Sequence, residues 1–318
     1  MVEILISDGF RVFKPIVKND ITWETERKGS PGKLTFTVIK DDVINFFEGD
    51  HVRLDVDGIS LFYGFVFKKT RDKDHHIKVV AYDQLRYLKN KISWTYKGKK
   101  ASDLLPFIAE AYHLQLGEIE DTGYVISERT EDSSTMFDII LSALDLTLIN
   151  TRKMFVLFDD FGKITLKSLA NMQTNVLIDA ETGENFDYTS SIDDNTYNQI
   201  VISHKNEETG QSTKYVRNDP QNITRWGVLQ YYDTVKNEEN AGAKADSLLK
   251  LLNVKTRTLK IKNVIGNIQV RAGKMVFVNM DVGDIKICNN MLVESCKHTF
   301  QNSAHFMTLT LRGGDIIE

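Results

Sequence analysis

Apolar and polar positions alternate with a period of two through much of residues 1–95, the mark of strands that bury one face. Leu34, Phe36 and Val38 alternate with Thr35, Thr37 and Ile39, after a Ser30-Pro31-Gly32 turn. Val52, Leu54 and Val56 form a second strand. Asp57-Gly58 follows as a tight hairpin turn, because glycine tolerates the positive φ such a turn needs. Leu61 to Phe67 and then Ile77 to Tyr82 continue the alternation across a polar turn from Arg71 to His76. Tyr82 to Leu88 predicts a short helix or turn closing the unit. The grammar is that of a small antiparallel barrel or sandwich.

From residue 96 to about 170 the period changes. Leu104, Leu105, Phe107, Ile108, Ala111 and Tyr112 follow helical spacing. Ser102 is the predicted cap, with Pro106 in the first turn, where a missing N–H does little harm. A second helix begins near Ser134 and carries Met136, Phe137, Ile140, Leu141 and Leu144 on one face, which reads as a core face. Met154 to Phe158 and Lys163 to Leu169 flank Asp159-Asp160-Phe161-Gly162, a β-hairpin. This stretch is a compact α/β insert.

Residues 171 to 197 are rich in Asn, Asp and Thr and read as a loop-laden connection. Gln199 to His204 and Thr213 to Val216 form a hairpin around a Lys205 to Ser212 turn. Asn240 can cap a third helix with Ala241, Ala245, Leu248, Leu249 and Leu252 on its apolar side. Leu259 to Lys262, Met275 to Val278 and Met307 to Leu311 alternate again before Gly313-Gly314. The end of the chain echoes its start. Gly49-x-x-Val52 answers Gly273-x-x-Val276, and the six-residue spacing of Thr70 and His76 answers that of Thr299 and His305. This points to an internal duplication.

A formal net charge of −4 removes the basic balance expected of a nucleic-acid or anionic-membrane binder. The Lys97 to Lys100 cluster is short and reads as a solvated turn. Cys288 and Cys296, the only cysteines, fit neither a Cys-x-x-Cys motif nor a zinc half-site. Two reduced, partly buried thiols are expected. Asp8, Arg11 and Lys14 interrupt every apolar run near the start, so no signal peptide is expected, and no segment has the roughly 20 apolar residues of a membrane span.

The chemistry-bearing motifs are absent: no phosphate loop, no Gly-x-Gly-x-x-Gly, no His-Glu-x-x-His, no Gly-x-Ser-x-Gly. His75-His76 beside Asp72 and Asp74 reads as a solvated turn. His298 and His305 lack a third ligand for a metal. Asp159-Asp160 reads as a turn, since adjacent strand residues point to opposite faces. Asp179, Glu181, Glu184 and Asp187 lack EF-hand spacing. No catalytic, cofactor or metal site is assigned, and the chain is read as a non-enzyme. Trp23, Trp94, Trp226 and the Tyr231-Tyr232 pair are stacking candidates. Trp226, Tyr231, Tyr232 and Arg271 are the candidate interface residues, because aromatic and arginine side chains anchor binding hot spots.

Several ordered segments carry a resemblance. They include Ser30 to Phe36, Glu48 to Val52, Leu61 to Phe67, Ala81 to Leu88 and Phe137 to Ile140 with Ala143 to Asp145. The set continues through Trp226 to Gln230, Val270 to Gly273, His305 to Met307 and Leu311 to Gly314. Together they resemble XkdQ-like phage tail proteins across nearly the whole chain. That family is similar to the central hub of contractile-tail baseplates and to the hub part of type VI secretion spikes. The resemblance implies an α+β, mainly β chain with two tail-tube-like antiparallel β-barrels and an α/β insert domain. The expected domains are a first barrel at 1–95, the insert at 96–170, and a second barrel at 171–318 with a helix inserted at about 239–253. It further implies a homotrimer in a phage tail or bacteriocin-like particle, whose six barrels meet a six-fold tail tube and a three-fold spike. Tail tube, spike and other baseplate proteins are the expected partners, with DNA only a transient passenger in the lumen of a phage. A wall- or carbohydrate-binding tail module is the alternative, followed by a wall hydrolase.

Overall fold

The computed structural model describes residues 1–41, 43–183, 185–193, 195–205, 211–235, 241–283 and 285–313. Asn240, Glu184 and Gly314, and the 206–210 part of the expected hairpin turn, lie outside them.

The chain opens with β1 (Val2–Ser7), β2 (Val12–Phe13), β3 (Ile21–Glu26), β4 (Lys33–Ile39), β5 (His51–Val56), β6 (Ile59–Arg71) and β7 (His76–Tyr82). The β5–β6 turn is the expected two-residue one, with Asp57 and Gly58 at φ 52° and 79°. Inward positions of these strands, among them Ile6, Leu34, Phe36, Val52 and Leu54, form one fully buried apolar core.

The insert follows as β8 (Lys91–Lys99), α1 (Ala101–Tyr112), β9 (Leu116–Ile119), β10 (Ile126–Thr135), α2 (Met136–Thr151), β11 (Phe155–Asp159) and β12 (Ile164–Ser168). α2 buries Met136, Phe137, Ile140 and Leu144 as its spacing predicts. The cap of α1 differs from expectation. Lys100 is the capping position and its N–H donates to the Asp103 carboxylate at 2.9 Å. Ser102 sits inside the helix and bonds Thr122 across the core, so Pro106 lies beyond the first turn.

The last part holds β13 (Gln173–Asp179), β14 (Asn185–Ser191), β15 (Gln199–Lys205), β16 (Ser212–Asn218), α3 (Pro220–Trp226), β17 (Gln230–Val235), α4 (Ala241–Leu252), β18 (Thr256–Ile265), β19 (Met275–Asp281), β20 (Lys286–Gln301) and β21 (Ala304–Gly313). Two strands, β13 and β14, occupy the stretch read as loop. Both lie at sheet margins with mixed exposure, so neither carries clean alternation. β15, β16 and β17 leave the main sheet and form their own sheet against α4.

The expectation of two separate, closed antiparallel barrels is corrected. The ladders of both halves join in one 13-stranded sheet whose path stays open. The cause is the length of β20. It pairs with β19 from Lys286 to Leu292, then runs on and pairs with β3 from Ser295 to Phe300. The sheet is also not wholly antiparallel, because β13 pairs with β19 in parallel.

The duplication is written into the topology. In one half the order is β3-β4-β7-β6-β5-β1, in the other β14-β18-β21-β20-β19-β13. Numbered in chain order without the short β2 and without the separate β15–β17 sheet, each half reads 2-3-6-5-4-1. Details match as well. Register shifts fall after Val66 in β6 and after Val293 in β20. Gly49 N donates to Val66 O, and Gly273 N to Val293 O, each at 2.8 Å, with both glycines at positive φ. The threonine echo is displaced in this frame, since Thr70 lies four residues after Val66 but Thr299 six after Val293.

Gly64 in β6 shows how tightly the first half is packed: a Cβ there would lie 2.3 Å from Tyr82 O. Gly64→Ala is expected to cost about 2–3 kcal/mol, read as a lowered urea midpoint with an unchanged slope.

Candidate functional site

Three side chains from distant parts of the sequence meet where the two halves and the insert touch. Asp83 ends β7. Its carboxylate accepts from Leu85 N at 3.1 Å, starting a short 3₁₀ turn, and from Gly32 N at 2.7 Å. A Cβ on Gly32 would sit 2.4 Å from that oxygen, so only glycine fits there. Asp159 ends β11 and accepts from Gly162 N at 2.6 Å, the turn role expected of it. Arg271 precedes β19, and its Nη1 donates to Asp159 O at 2.8 Å. The guanidinium lies 4.6 Å from the Phe158 ring centre and 5.8 Å from that of Trp23. Gln84 completes the joint, its amide donating to Gly162 O and Gln115 O and accepting from Gln115 N.

Asp83 and Asp159 are almost fully buried, and one guanidinium faces two carboxyls. Burial, reinforced by Asp159, holds the Asp83 carboxyl well above the usual carboxylate range. Burial also pushes Asp159 up to about 6, against the Gly162 bond and Arg271. Asp159 Oδ2 and Arg271 Nε have no hydrogen-bond partner. The buried carboxyls are withdrawn from solvent and from any substrate, so the arrangement fastens three bodies together. Nearby, Ala272 N donates to Thr25 Oγ1 at 3.0 Å, and Arg27 grips Glu294 at 2.7 and 3.0 Å, tying the same halves.

The two histidines do come together. The Nδ1 of fully buried His298 lies 2.8 Å from His305 Nε2, and its Nε2 lies 2.8 Å from Val270 O. The second contact fixes the proton on Nε2, so Nδ1 accepts from His305. Trp23 stacks on His298 at 4.9 Å and Phe300 on His305 at 4.3 Å. Both His298 nitrogens are engaged, with Cys296 Sγ also 3.2 Å from Nε2, and among the described residues this cluster does not bring three ligand atoms together. Burial, helped by the charge of His305, pushes His298 down to about 3. Among the described residues, Asp72, Asp74 and His76 are the group whose ligand atoms approach one another. His76 Nδ1 is already within 3.0 Å of Asp72 and 3.2 Å of the Lys18 ammonium, which opposes a cation. Cys288 is exposed rather than partly buried, Cys296 is buried, and both are free.

The four interface candidates are not one cluster. Trp226 ends α3, half-buried. Tyr231 faces the α4 side and meets Tyr197 edge-on at 5.4 Å. Tyr232 lies on the opposite face, exposed like Val216, in a row across β17, β15 and β16 whose central member, Val201, is buried. Arg271 points inward, into the joint described above. Its long-range partners have no signal in local sequence. An aromatic cleft that sequence reasoning missed, of about 390 Å³, lies between β6 and the insert and is lined by His51, Tyr63, Phe65, Tyr87 and Tyr112.

Two opposite pH effects follow. The folded Asp159 keeps its proton to about pH 6, whereas the unfolded one loses it near 3.8. Asp159 therefore lowers stability by up to about 3 kcal/mol as pH rises through that window, and Asp83, held up as well, extends the fall above it. Thermal melts of Asp159→Asn should show a shallower slope than the parent between about pH 4 and pH 6. His298 stays neutral in the fold down to about 3, against 6.5 unfolded, so its contribution is lost as pH falls below 6.5. The advantage in Tm of the parent chain over His298→Phe should shrink between pH 7 and pH 4.5.

Comparisons with known proteins agree with this architecture. The chain is 27% identical over 315 residues to the phage-like element PBSX protein XkdQ of Bacillus subtilis, covering 95% of this chain and 93% of that one. The 43 kDa tail protein of prophage MuSo2 from Shewanella oneidensis has the same fold, with TM-score 0.73, 12% identity and coverage of 99% and 100%. An E. coli component of the type VI secretion system, described as structurally similar to the T4 tail proteins gp27 and gp5, matches with TM-score 0.59, 10% identity and coverage of 99% and 78%. The model of the YqbQ-like family matches residues 21–312, and the chain belongs to that family.

Proposed function

We propose that this protein is a structural baseplate hub of a contractile phage tail or tail-like particle. In this reading three copies form a ring between a six-fold tail tube and a three-fold spike. The observation that carries the reading is the repeated 2-3-6-5-4-1 order within one chain. A chain with two like sheets presents two similar docking units, so three chains present six, which reconciles the two symmetries. The tail-protein relatives and the type VI neighbour support it. The chain divides near residues 95 and 170 into two tube-like units with the insert between them. Each half-sheet then serves as a tube-like wall element of the open, continuous sheet.

The role is mechanical and non-catalytic. The buried carboxyl pair holds parts together and does not face a substrate. Tube, spike and other baseplate proteins are the partners, and DNA passes through the lumen if the particle is a phage. Tyr232 on the outer sheet and Trp226 at the end of α3 are the candidate contacts, Tyr231 supports that sheet from behind, and Arg271 acts through the joint. Among the described residues no helix is long and apolar enough to cross a membrane.

Sedimentation at tens of micromolar should give a species of three times 36.3 kDa, and negative-stain images should show a ring. A monomer that persists even with tube and spike proteins added would refute the hub reading.

A further inference from the structure

The duplication leaves one strand edge open where its counterpart is filled. Equivalent rungs fix the frame: Val66, Ala81, Leu34 and Trp23 run across β6, β7, β4 and β3. Val293, Leu311, Leu259 and Tyr188 run across β20, β21, β18 and β14. β3 thus corresponds to β14, and β20 to β6. Within the chain, β3 fills the edge of β20 beyond its register shift. On β6 the matching edge, Lys68 to Arg71, has backbone partners only on its β7 side among the described residues. β14 likewise ends the sheet, paired only with β18. Both edges are largely exposed, with Lys68 and Arg71 on one and the uncharged run Tyr188 to Ser191 on the other.

We propose that a second copy of this chain docks its β14 edge antiparallel on the free edge of β6, repeating between chains the β3–β20 ladder that joins the halves within one. The register is copied from the internal ladder. Trp23 lies opposite His298, five residues past Val293, so Tyr188 of the second copy lies opposite Arg71, five past Val66. Thr189 then faces Thr70 and Ser191 faces Lys68. The contact is head-to-tail, so each copy uses both edges and the backbone groups of both are satisfied. This rests on the multi-copy assembly proposed above and names the surfaces that make it.

The test is a charge-swap pair, Lys68→Glu with Thr70→Glu in one full-length chain and Thr189→Lys with Ser191→Lys in another. All four positions are on these outer edges, and unchanged melting curves confirm folding. Each variant alone should associate roughly tenfold or more weakly than the parent, about 1.4 kcal/mol, in sedimentation. Mixing the two should restore association. In a Cys288→Ser background, Thr70→Cys combined with Thr189→Cys should form an inter-chain disulfide under mild oxidation. If the parent assembles and both variants assemble equally well, with no disulfide, the proposed edge pairing is wrong while the hub reading stands. If the parent is monomeric throughout, both fall.

Discussion

The β3–β20 ladder is the constraint on which the rest depends. A sheet edge buried without partners leaves a row of N–H and C=O groups unsatisfied, at a cost comparable to a lost hydrogen bond for each. β20 escapes this by outrunning its first partner. Its 16 residues exceed the seven of β19, and the excess is covered by β3 from the opposite end of the chain. The bulge after Val293 re-aims the strand at the point where partners change. Two half-sheets that would otherwise be tethered by the insert become one continuous wall, and their relative orientation is set by backbone geometry.

A ladder alone would allow the insert to swing, and the buried charges prevent it. Asp83 leaves the first half, Asp159 turns the insert hairpin, and Arg271 enters the second half, so their meeting triangulates three bodies. The arrangement carries a standing electrostatic strain. Two buried carboxyls against one guanidinium leave one negative charge in excess, which the site relieves by holding a proton. Such a group adds little net stability compared with an apolar plug of the same volume. What it contributes is a single permitted geometry, because any displacement strands a charge. The stack of Trp23, His298, His305 and Phe300 lies on the same seam and acts in the same sense through shape.

Local rules made much of this legible. The first half, the Asp57-Gly58 turn, the α2 face and the insert hairpin follow directly from period and turn chemistry. The echo of Gly49 and Val52 in Gly273 and Val276 correctly located equivalent strand starts. The failures share one physical origin. β13 and β14 sit at margins where neither face is fully buried, so burial writes no alternation into them. α3 is a short helix with no buried residue, so it leaves no apolar face to read. Ser102 was an apt cap by type, but the helix starts a turn's fraction earlier, where Asp103 reaches back to Lys100. Arg271 looked like an outward anchor because its partners lie more than a hundred residues away, and nothing local marks a long-range buried charge. The acid turn at Asp159 was read correctly as a turn and incompletely as a joint.

Internal duplication creates a hazard that the asymmetries of this chain answer. Were the halves identical, the β14-type edge of one copy would find two equal docking edges on the next, and assembly would branch or slip register. Here one of those edges is already occupied, since β3 covers β20 within the chain. The remaining free edge is the basic one on β6. In the proposed assembly intramolecular pairing would therefore act as a specificity device, removing the wrong site at no cost in the right one. The halves differ again at their far margin, where β1 joins β5 antiparallel and β13 joins β19 in parallel. That difference keeps the two outer walls from being interchangeable. A repeat that is faithful in its central four strands and divergent at its margins retains a common wall and, in the proposed ring, would give each edge one partner, which is what a closed assembly demands.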